Sequence, residues 1–228
     1  MKKVWLSWST GKDCAWTLHT LRMEGKYEVT GLFTTVTEQF SRVSMHGVRI
    51  DLLEAQADRV GLPVQIAKIP WPCSNKLYER AMEDVWEAAI NSGIQIIAFG
   101  DLFLDDVRQY RIDLLKHTGL DPIFPLWGKP TRELAESMVS SGLRATLTCV
   151  DPTQMAVDFA GKFFDSEFLE SLPSTVDPCG ENGEFHTFVH AGPMFSAAIN
   201  VTTGDVVKRN GFIFADVILR NEDGENAA

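Results

Sequence analysis

Hydrophobic and polar positions in the first half of the chain switch repeatedly between two periods. "KVWLSWS" is a short, nearly all-apolar run that reads as a buried strand. "DCAWTLHTLRMEG" puts Cys14, Leu18 and Leu21 on one helical face, and Gly25 stops it. "YEVTGLFTTV" reads as a second strand, "HGVRIDLLEAQADRVG" as a second helix starting at His46-Gly47, and "LPVQIAKI" as a third strand. "NKLYERAMEDVWEAAINSG", "IQIIAFGD" and "LDDVRQYRIDLLKHTG" continue the series as helix, strand and helix. The order β-α-β-α-β-α-β-α predicts a parallel sheet with helices on both faces. Ligands in such sheets bind beyond the carboxyl ends of the strands. The loops at Ser9 to Asp13 and at Gly100-Asp101 both follow strands, so both are expected at that edge.

The second half reads differently. "DPIFPLWGKPTRELAESMVSSGLRATLTCV" gives an extended segment, a helix and a strand, and "FAGKFFDSEFLESLP" reads as helical. "AAINVTTGDVVKRNGFIFADVIL" alternates in two runs of antiparallel β type. A boundary near Leu126 therefore divides the chain into 1–126, an α/β nucleotide-type domain, and 127–228, a smaller α+β domain packed on the ligand edge. The small, acidic tail "NEDGENAA" is expected to be disordered.

Composition narrows the function class. The chain has 228 residues, 45% apolar and 23% charged, with a formal net charge of −10. That balance, with acids mixed through the cationic stretch at Arg108, Arg111 and Lys116, argues against nucleic acid as the main partner. Cys14, Cys73, Cys149 and Cys179 form no C-x-x-C pair, so no zinc knuckle is predicted. No apolar run is long enough to span a bilayer and none resembles a signal segment, which makes the cytoplasm the expected compartment and excludes a membrane partner.

The first strand opens directly into Ser9-Thr10-Gly11-Lys12-Asp13-Cys14. A Walker A loop fails twice, because Leu6 stands five residues before Gly11 and Asp13 follows Lys12. A plain strand-to-helix turn capped by Asp13 would account for Gly-Lys-Asp alone. The six residues together resemble the S-G-G-K-D-S loop of the PP-loop ATP pyrophosphatases, and they occupy the same place in the element order. Thr10 stands for a glycine, so that position must hold negative φ or carry strain. Cys14 stands for a serine and donates a weaker hydrogen bond.

Further stretches place the resemblance on one branch. "FGDLFLDDVRQYR" is similar to the G-D-x6-R-x-x-R stretch of the diphthine–ammonia ligase branch. "DPCGENGEFHTFVHAGPMF" is similar to its G-E-x-G-E-[FY]-H-T signature and G-P-x-F element, and "DPIFPLWG" carries its P-L-W segment. The match runs in order from about Lys3 to Phe195.

This resemblance implies a Rossmann-like sheet of the adenine nucleotide alpha hydrolase type. It implies ATP and Mg2+ held by Ser9, Thr10, Gly11, Lys12, Asp13, Cys14, Gly100 and Asp101, with Asp13 on the metal. Arg108, Arg111, Glu181, Glu184 and His186 would hold substrate, and Lys12, Asp13, Glu184 and His186 would act in catalysis. The implied reaction joins ammonia to a carboxylate-bearing acceptor through an acyl adenylate, with AMP and pyrophosphate as products. In eukaryotes and archaea the family's acceptor lies on a translation elongation factor; in bacterial members it must be another molecule. A homodimer is compatible with all of this.

Plainer readings stand beside these. Asp101 can be a helix cap, and Arg108 and Arg111 can form a solvated helix face. Glu184 and His186, two apart in an expected strand, share a face, which suits either a site or a hairpin edge. His46 is read as a helix start and Cys179 as a structural thiol. Trp5, Trp8, Trp16 and Trp86 read as core; Trp71 and Trp127 sit in proline-rich connections at the expected cleft. A tRNA-modifying PP-loop enzyme, of thiolation or lysidine type, and a non-catalytic ATP sensor are the competing functions. The acidic charge and the missing cysteine pair count against the first, and "GENGEFHT" has no evident use in the second.

Overall fold

The computed structural model describes residues 1–220; the tail expected to be disordered lies outside them. The first sheet is built from β1 (Lys2–Ser7), β2 (Tyr27–Thr37), β3 (Arg42–Val43), β4 (Val64–Ile69), β5 (Ile96–Ala98) and β6 (Asp121–Ile123). Helices α1 (Lys12–Glu24), α2 (Ile50–Val60), α3 (Asn75–Asn91) and α4 (Asp105–Leu115) connect its parallel strands. β4, β2, β1, β5 and β6 lie side by side and all parallel, while β3 runs antiparallel beside the far end of β2. The chain therefore steps outward from β1 to β2 and β4, then returns to the other side of β1 for β5 and β6. The strand order reverses between β1 and β5, and the two loops leaving their carboxyl ends part there to open a crevice.

The local signals explain these elements. α1 and α2 end at Gly25 and Gly61 in the left-handed region, where a glycine carries no Cβ penalty. α3 opens where the Ser74 hydroxyl accepts the Leu77 N–H. β1 is buried on both faces: Val4, Leu6 and Trp8 join one apolar cluster, and Trp5 joins the other with Phe33, Trp86 and Ile97. A strand covered on both sides reads as a continuous apolar run rather than an alternating one. All four tryptophans expected in the core are buried.

The second sheet is antiparallel. It comprises β7 (Arg144–Val150), β8 (Phe163–Phe164), β9 (Phe185–Ala191), β10 (Val201–Arg209) and β11 (Phe212–Leu219), with α5 (Thr131–Ser140) before β7 and α6 (Ser166–Ser171) after β8. β9 takes one edge of β7; β8 and β11 share the other. The buried apolar cluster holding Leu6 and Leu18 continues without a break into Phe185, Phe188 and Val189.

Two expectations need correction. "FAGKFFDSEFLESLP" is not one helix, because Gly161 turns the chain at φ 85° and Asp165 starts a fresh helix by accepting the Phe168 N–H. Only Ser166–Ser171 is α-helical, and Phe163–Phe164 pairs with β7 instead. The second helix starts at Ile50 rather than His46, since Gly47 at φ 68° makes a turn between them. Among the described residues no helix is long and apolar enough to cross a membrane.

Candidate active site

A cavity of about 730 Å3 opens at the crevice between the ends of β1 and β5. Of the residues expected at a site, Ser9, Lys12, Asp13, Cys14, Gly100, Asp101, Arg111, Glu181 and His186 line it. Thr10 and Gly11 lie beneath the loop surface, and Arg108 and Glu184 are turned away.

The loop from Ser9 to Cys14 is held from below by the second sheet. β9 presents its free edge, and the Val189 N–H donates to the Thr10 carbonyl at 3.0 Å. The Gln56 amide donates to the same carbonyl at 3.0 Å and to the Val189 carbonyl at 2.6 Å. The Trp8 indole N–H donates to the Gln56 side-chain oxygen at 2.8 Å. The Thr187 hydroxyl accepts the Lys12 N–H at 3.1 Å. These bonds fix Thr10 at φ 72°, a left-handed conformation that costs a β-branched residue on the order of 1–3 kcal/mol. The strained alternative for this position is the one realised. Gly11, not Asp13, caps α1, and a Cβ there would come within 2.5 Å of the His46 ring. Gly100 also lies close: a Cβ on it would stand 3.1 to 3.2 Å from the Asp13 and Cys14 backbone at the start of α1.

Lys12 is buried, with 2% of its surface exposed, rather than standing at a loop tip. Its ammonium donates to Asp13 Oδ2 at 2.8 Å and to the Cys179 carbonyl. Burial is the largest single effect and opposes the charge, but Asp13 and the other acidic groups around it together hold the lysine above its ordinary pKa. The Cys14 thiol turns back onto the Gly11 carbonyl at 3.1 Å, and burial pushes it up to about 11. It is a thiol there, not a thiolate. Cys179 is likewise buried, raised by desolvation, and directed at the Thr131 carbonyl, as a structural thiol would be.

Asp13, bonded to Lys12, and Asp101, facing Arg111, each keep one oxygen without a hydrogen bond. Asp13 Oδ1 and Asp101 Oδ2 are buried and have no hydrogen-bond partner among the described residues. Burial raises the Asp101 pKa and Asp13 raises it further, against Arg111 at 3.7 Å. Two carboxylates with unshared lone pairs suit a hard cation such as Mg2+, whose other ligands are commonly phosphate oxygens and water. Among the described residues no group of three or more His, Cys, Asp or Glu side chains is placed to hold a metal without such help.

Arg111 reaches the cleft, donating to the Tyr78 hydroxyl at 3.2 Å with its guanidinium over Phe99. Arg108 does not: its guanidinium stacks over Trp127 at 4.6 Å and Phe124 at 5.3 Å. A spacing of three residues spreads two long side chains around the helix as much as along it, and these aromatics capture the first. Trp127 is thereby removed from the cleft as well, whereas Trp71 lines it.

The loop 177–184 folds on itself. Asp177 accepts the Cys179 and Glu181 N–H groups, and the Glu184 carboxylate accepts the Asp177 N–H at 2.8 Å and the Asn182 amide at 3.1 Å. Glu184 is 1% exposed and immediately precedes β9; its Oε1 ties the loop together, and its Oε2 is buried without a hydrogen-bond partner among the described residues. Glu181 bridges the halves instead, accepting the Leu102 N–H at 2.7 Å, and burial with Asp13 nearby lifts it to about 7.

His46 is the cleft residue that sequence reasoning misplaced. Its Nδ1–H donates to the Thr187 carbonyl at 2.9 Å, which leaves Nε2 as the lone-pair nitrogen. Its ring lies 4.6 Å from that of His186. Burial drives His46 down to about 4, and His186 well below its ordinary value with His46 contributing. Both are neutral near pH 7. The sequence signal was a histidine beside Gly47 in a polar stretch after a strand, equally the mark of a helix start.

A parallel sheet with a lysine-bearing loop and two carboxylates at its switch point, packed against an antiparallel second sheet, defines an α/β protein with a crevice at the ends of β1 and β5. Residues 1–120 match the family model of the diphthamide synthase N-terminal domain, and residues 130–217 that of the diphthamide synthase C-terminal domain. The chain belongs to the diphthamide synthase family. It is similar to the diphthine–ammonia ligases of Bos taurus and Homo sapiens, each 31% identical over 120 residues, or 50% of this chain and 45% of theirs. The diphthine–ammonia ligase of Schizosaccharomyces pombe is 32% identical over 113 residues, 47% of this chain and 18% of that one. The matched stretch thus spans less than half the length of these relatives.

Proposed function

We propose that the chain is an ATP-dependent ligase that joins ammonia to a carboxylate and releases AMP and pyrophosphate. The observation that carries this reading is the meeting, in one cleft, of the Ser9–Cys14 loop, the two carboxylates with unpartnered oxygens, and the neutral histidine pair. The relatives of Bos taurus and Homo sapiens are diphthine–ammonia ligases, which is the same class of reaction.

In this reading the loop amides and Lys12 hold the terminal phosphates as a unit, at a helix N-terminus that favours anions. Asp13 and Asp101 would hold Mg2+, which supplies charge neutralisation on the phosphate oxygens. The acceptor carboxylate attacks the α-phosphorus; the bond to the bridging oxygen breaks, and pyrophosphate leaves with that oxygen. Ammonia then attacks the acyl carbon of the adenylate, the bond to the AMP oxygen breaks, and the amide forms. Ammonia enters unprotonated, and His186, neutral and buried beside His46, accepts a proton from the tetrahedral adduct as the AMP oxygen leaves. Arg111 supplies a cation on the acceptor side, and most of the rate comes from positioning and electrostatics.

The test uses 15N-ammonium with ATP, magnesium and a panel of carboxylic acids. The label should enter an amide in step with AMP formation. AMP formed with the label remaining in ammonium would refute the ligase step.

A further inference from the structure

Beside the cleft lies a second cavity of about 310 Å3, which the reading above does not use. Its walls come from both halves of the molecule: the turn around β3 on one side, β10, β11 and Cys149 of β7 on the other. It adjoins the cleft: Thr37, Val43, Met45 and Trp71 line both. Its volume falls at the small end of the range for small-molecule sites, about 300–1,000 Å3.

The lining is aromatic and apolar where it could take a ligand. Phe40, Trp71, Phe212 and Phe214 face it. Four of the twelve large apolar side chains exposed among the described residues converge on it: Phe40, Met45, Trp71 and Val207. A convergence of exposed apolar groups on one concavity marks a binding surface rather than scatter. The inner charges are engaged with one another, two guanidiniums sharing one carboxylate. Asp216 accepts from Arg42 at 2.8 Å and from Arg49 at 2.6 Å, and Arg42 also donates to the Gly47 carbonyl. Arg209 lies over the Phe40 ring at the exposed end of β10, with Asp205 on the same rim. A charged ligand body would find its counter-charges inside taken, while an uncharged ring would find aromatic walls.

We propose that this cavity receives the non-reacting body of the acid substrate. The acid is a small one with an uncharged, ring-bearing apolar body, and its carboxylate reaches past Met45 and Trp71 toward His46 and the loop. This rests on the cleft being the ATP site. The antechamber sets which acid is used, and the cleft sets what is done to it.

Calorimetric titration of the full chain tests it, with the non-cleavable α,β-methylene-ATP present and 3-phenylpropanoate, indole-3-acetate, acetate, glutarate and a glutamyl tripeptide as probes. The ring-bearing acids should bind at least tenfold more tightly than acetate or glutarate. Phe40→Ala and Val207→Glu, both at exposed positions, should each remove that preference and leave the nucleotide analogue's Kd within twofold. Equal binding of all acids, or a ring preference untouched by both substitutions, overturns the proposal. Tighter binding of the tripeptide than of any free acid overturns it in favour of a protein-borne carboxylate. Nucleotide binding without ring selectivity sinks this assignment alone; ring selectivity without nucleotide binding sinks the ATP reading on which it rests.

Discussion

Single side chains divide the candidate site into groups that face the cleft and groups that hold it together. Lys12 does both. Lys12→Ala should lower AMP formation about a hundredfold or more, the loss typical of one preorganised donor to a developing charge. It should also lower the melting temperature, because it leaves Asp13, buried on one oxygen, without its 2.8 Å partner. The loop motif by itself does not show that this lysine is buried; packing by Phe164 and Phe185 places it inside. Glu184 belongs to the second group. Glu184→Ala should cost about 1–3 kcal/mol of stability, since the part-buried Asp177 N–H loses its acceptor. Chemical denaturation checks this, and the nucleotide analogue's Kd should stay near wild type. His46 could not be told from a helix start, nor Arg108 from Arg111, by spacing alone. The deciding contacts, Thr187 and Trp127, are far away in sequence.

Among the elements, the start of α1 and the strand β9 form the working unit. β9 is unpaired on the side away from β7 and uses that edge to bond the loop, through Val189 to Thr10 and Thr187 to Lys12. Gly100, entering from β5, lets a second backbone approach the same helix start. Gly100→Ala should therefore disturb the loop: its Cβ would meet backbone, which cannot swing aside as a side chain can. The nucleotide analogue's Kd is expected to rise at least tenfold, with the melting temperature reporting whether the fold survives. An unchanged Kd would show that the two loops do not cooperate. The alternation of strands and helices in the first half was legible because each has one strong apolar period. The region after Asp151 was not, because its apolar run "FAGKFF" belongs partly to a turn and partly to a two-residue strand. Short elements leave too few positions for a period to show.

At the scale of the molecule, the two sheets share one core and one cleft, and its buried titrating groups link stability to pH. His46 has a folded pKa of about 4 against an ordinary value of 6.5. The fold favours its neutral form, so its contribution is full above pH 6.5 and is lost as pH falls toward 4. Glu181, lifted from 4.5 to about 7, has the opposite sign: its neutral form is favoured, and stability is lost as pH rises through that window. The wild-type curve mixes the two. The melting-temperature difference between wild type and His46→Asn should separate them, narrowing between pH 6.5 and 4. A constant difference would contradict the buried neutral histidine. The family and the general plan were readable from the three motif stretches because their order along the chain fixes which loops meet at the sheet edge. The second cavity was not, because its walls come from β3, β7 and the β10–β11 hairpin, and no motif joins them.

The central claim is that the bond between the α- and β-phosphates breaks. Chromatography of the nucleotides after incubation with magnesium, ammonium and ring-bearing carboxylic acids tests it most directly. ATP and β,γ-methylene-ATP should both give AMP, with one pyrophosphate or methylene-diphosphonate per AMP, while α,β-methylene-ATP stays intact. ADP and orthophosphate as the main products from ATP, or turnover of the α,β-methylene analogue, would contradict the account.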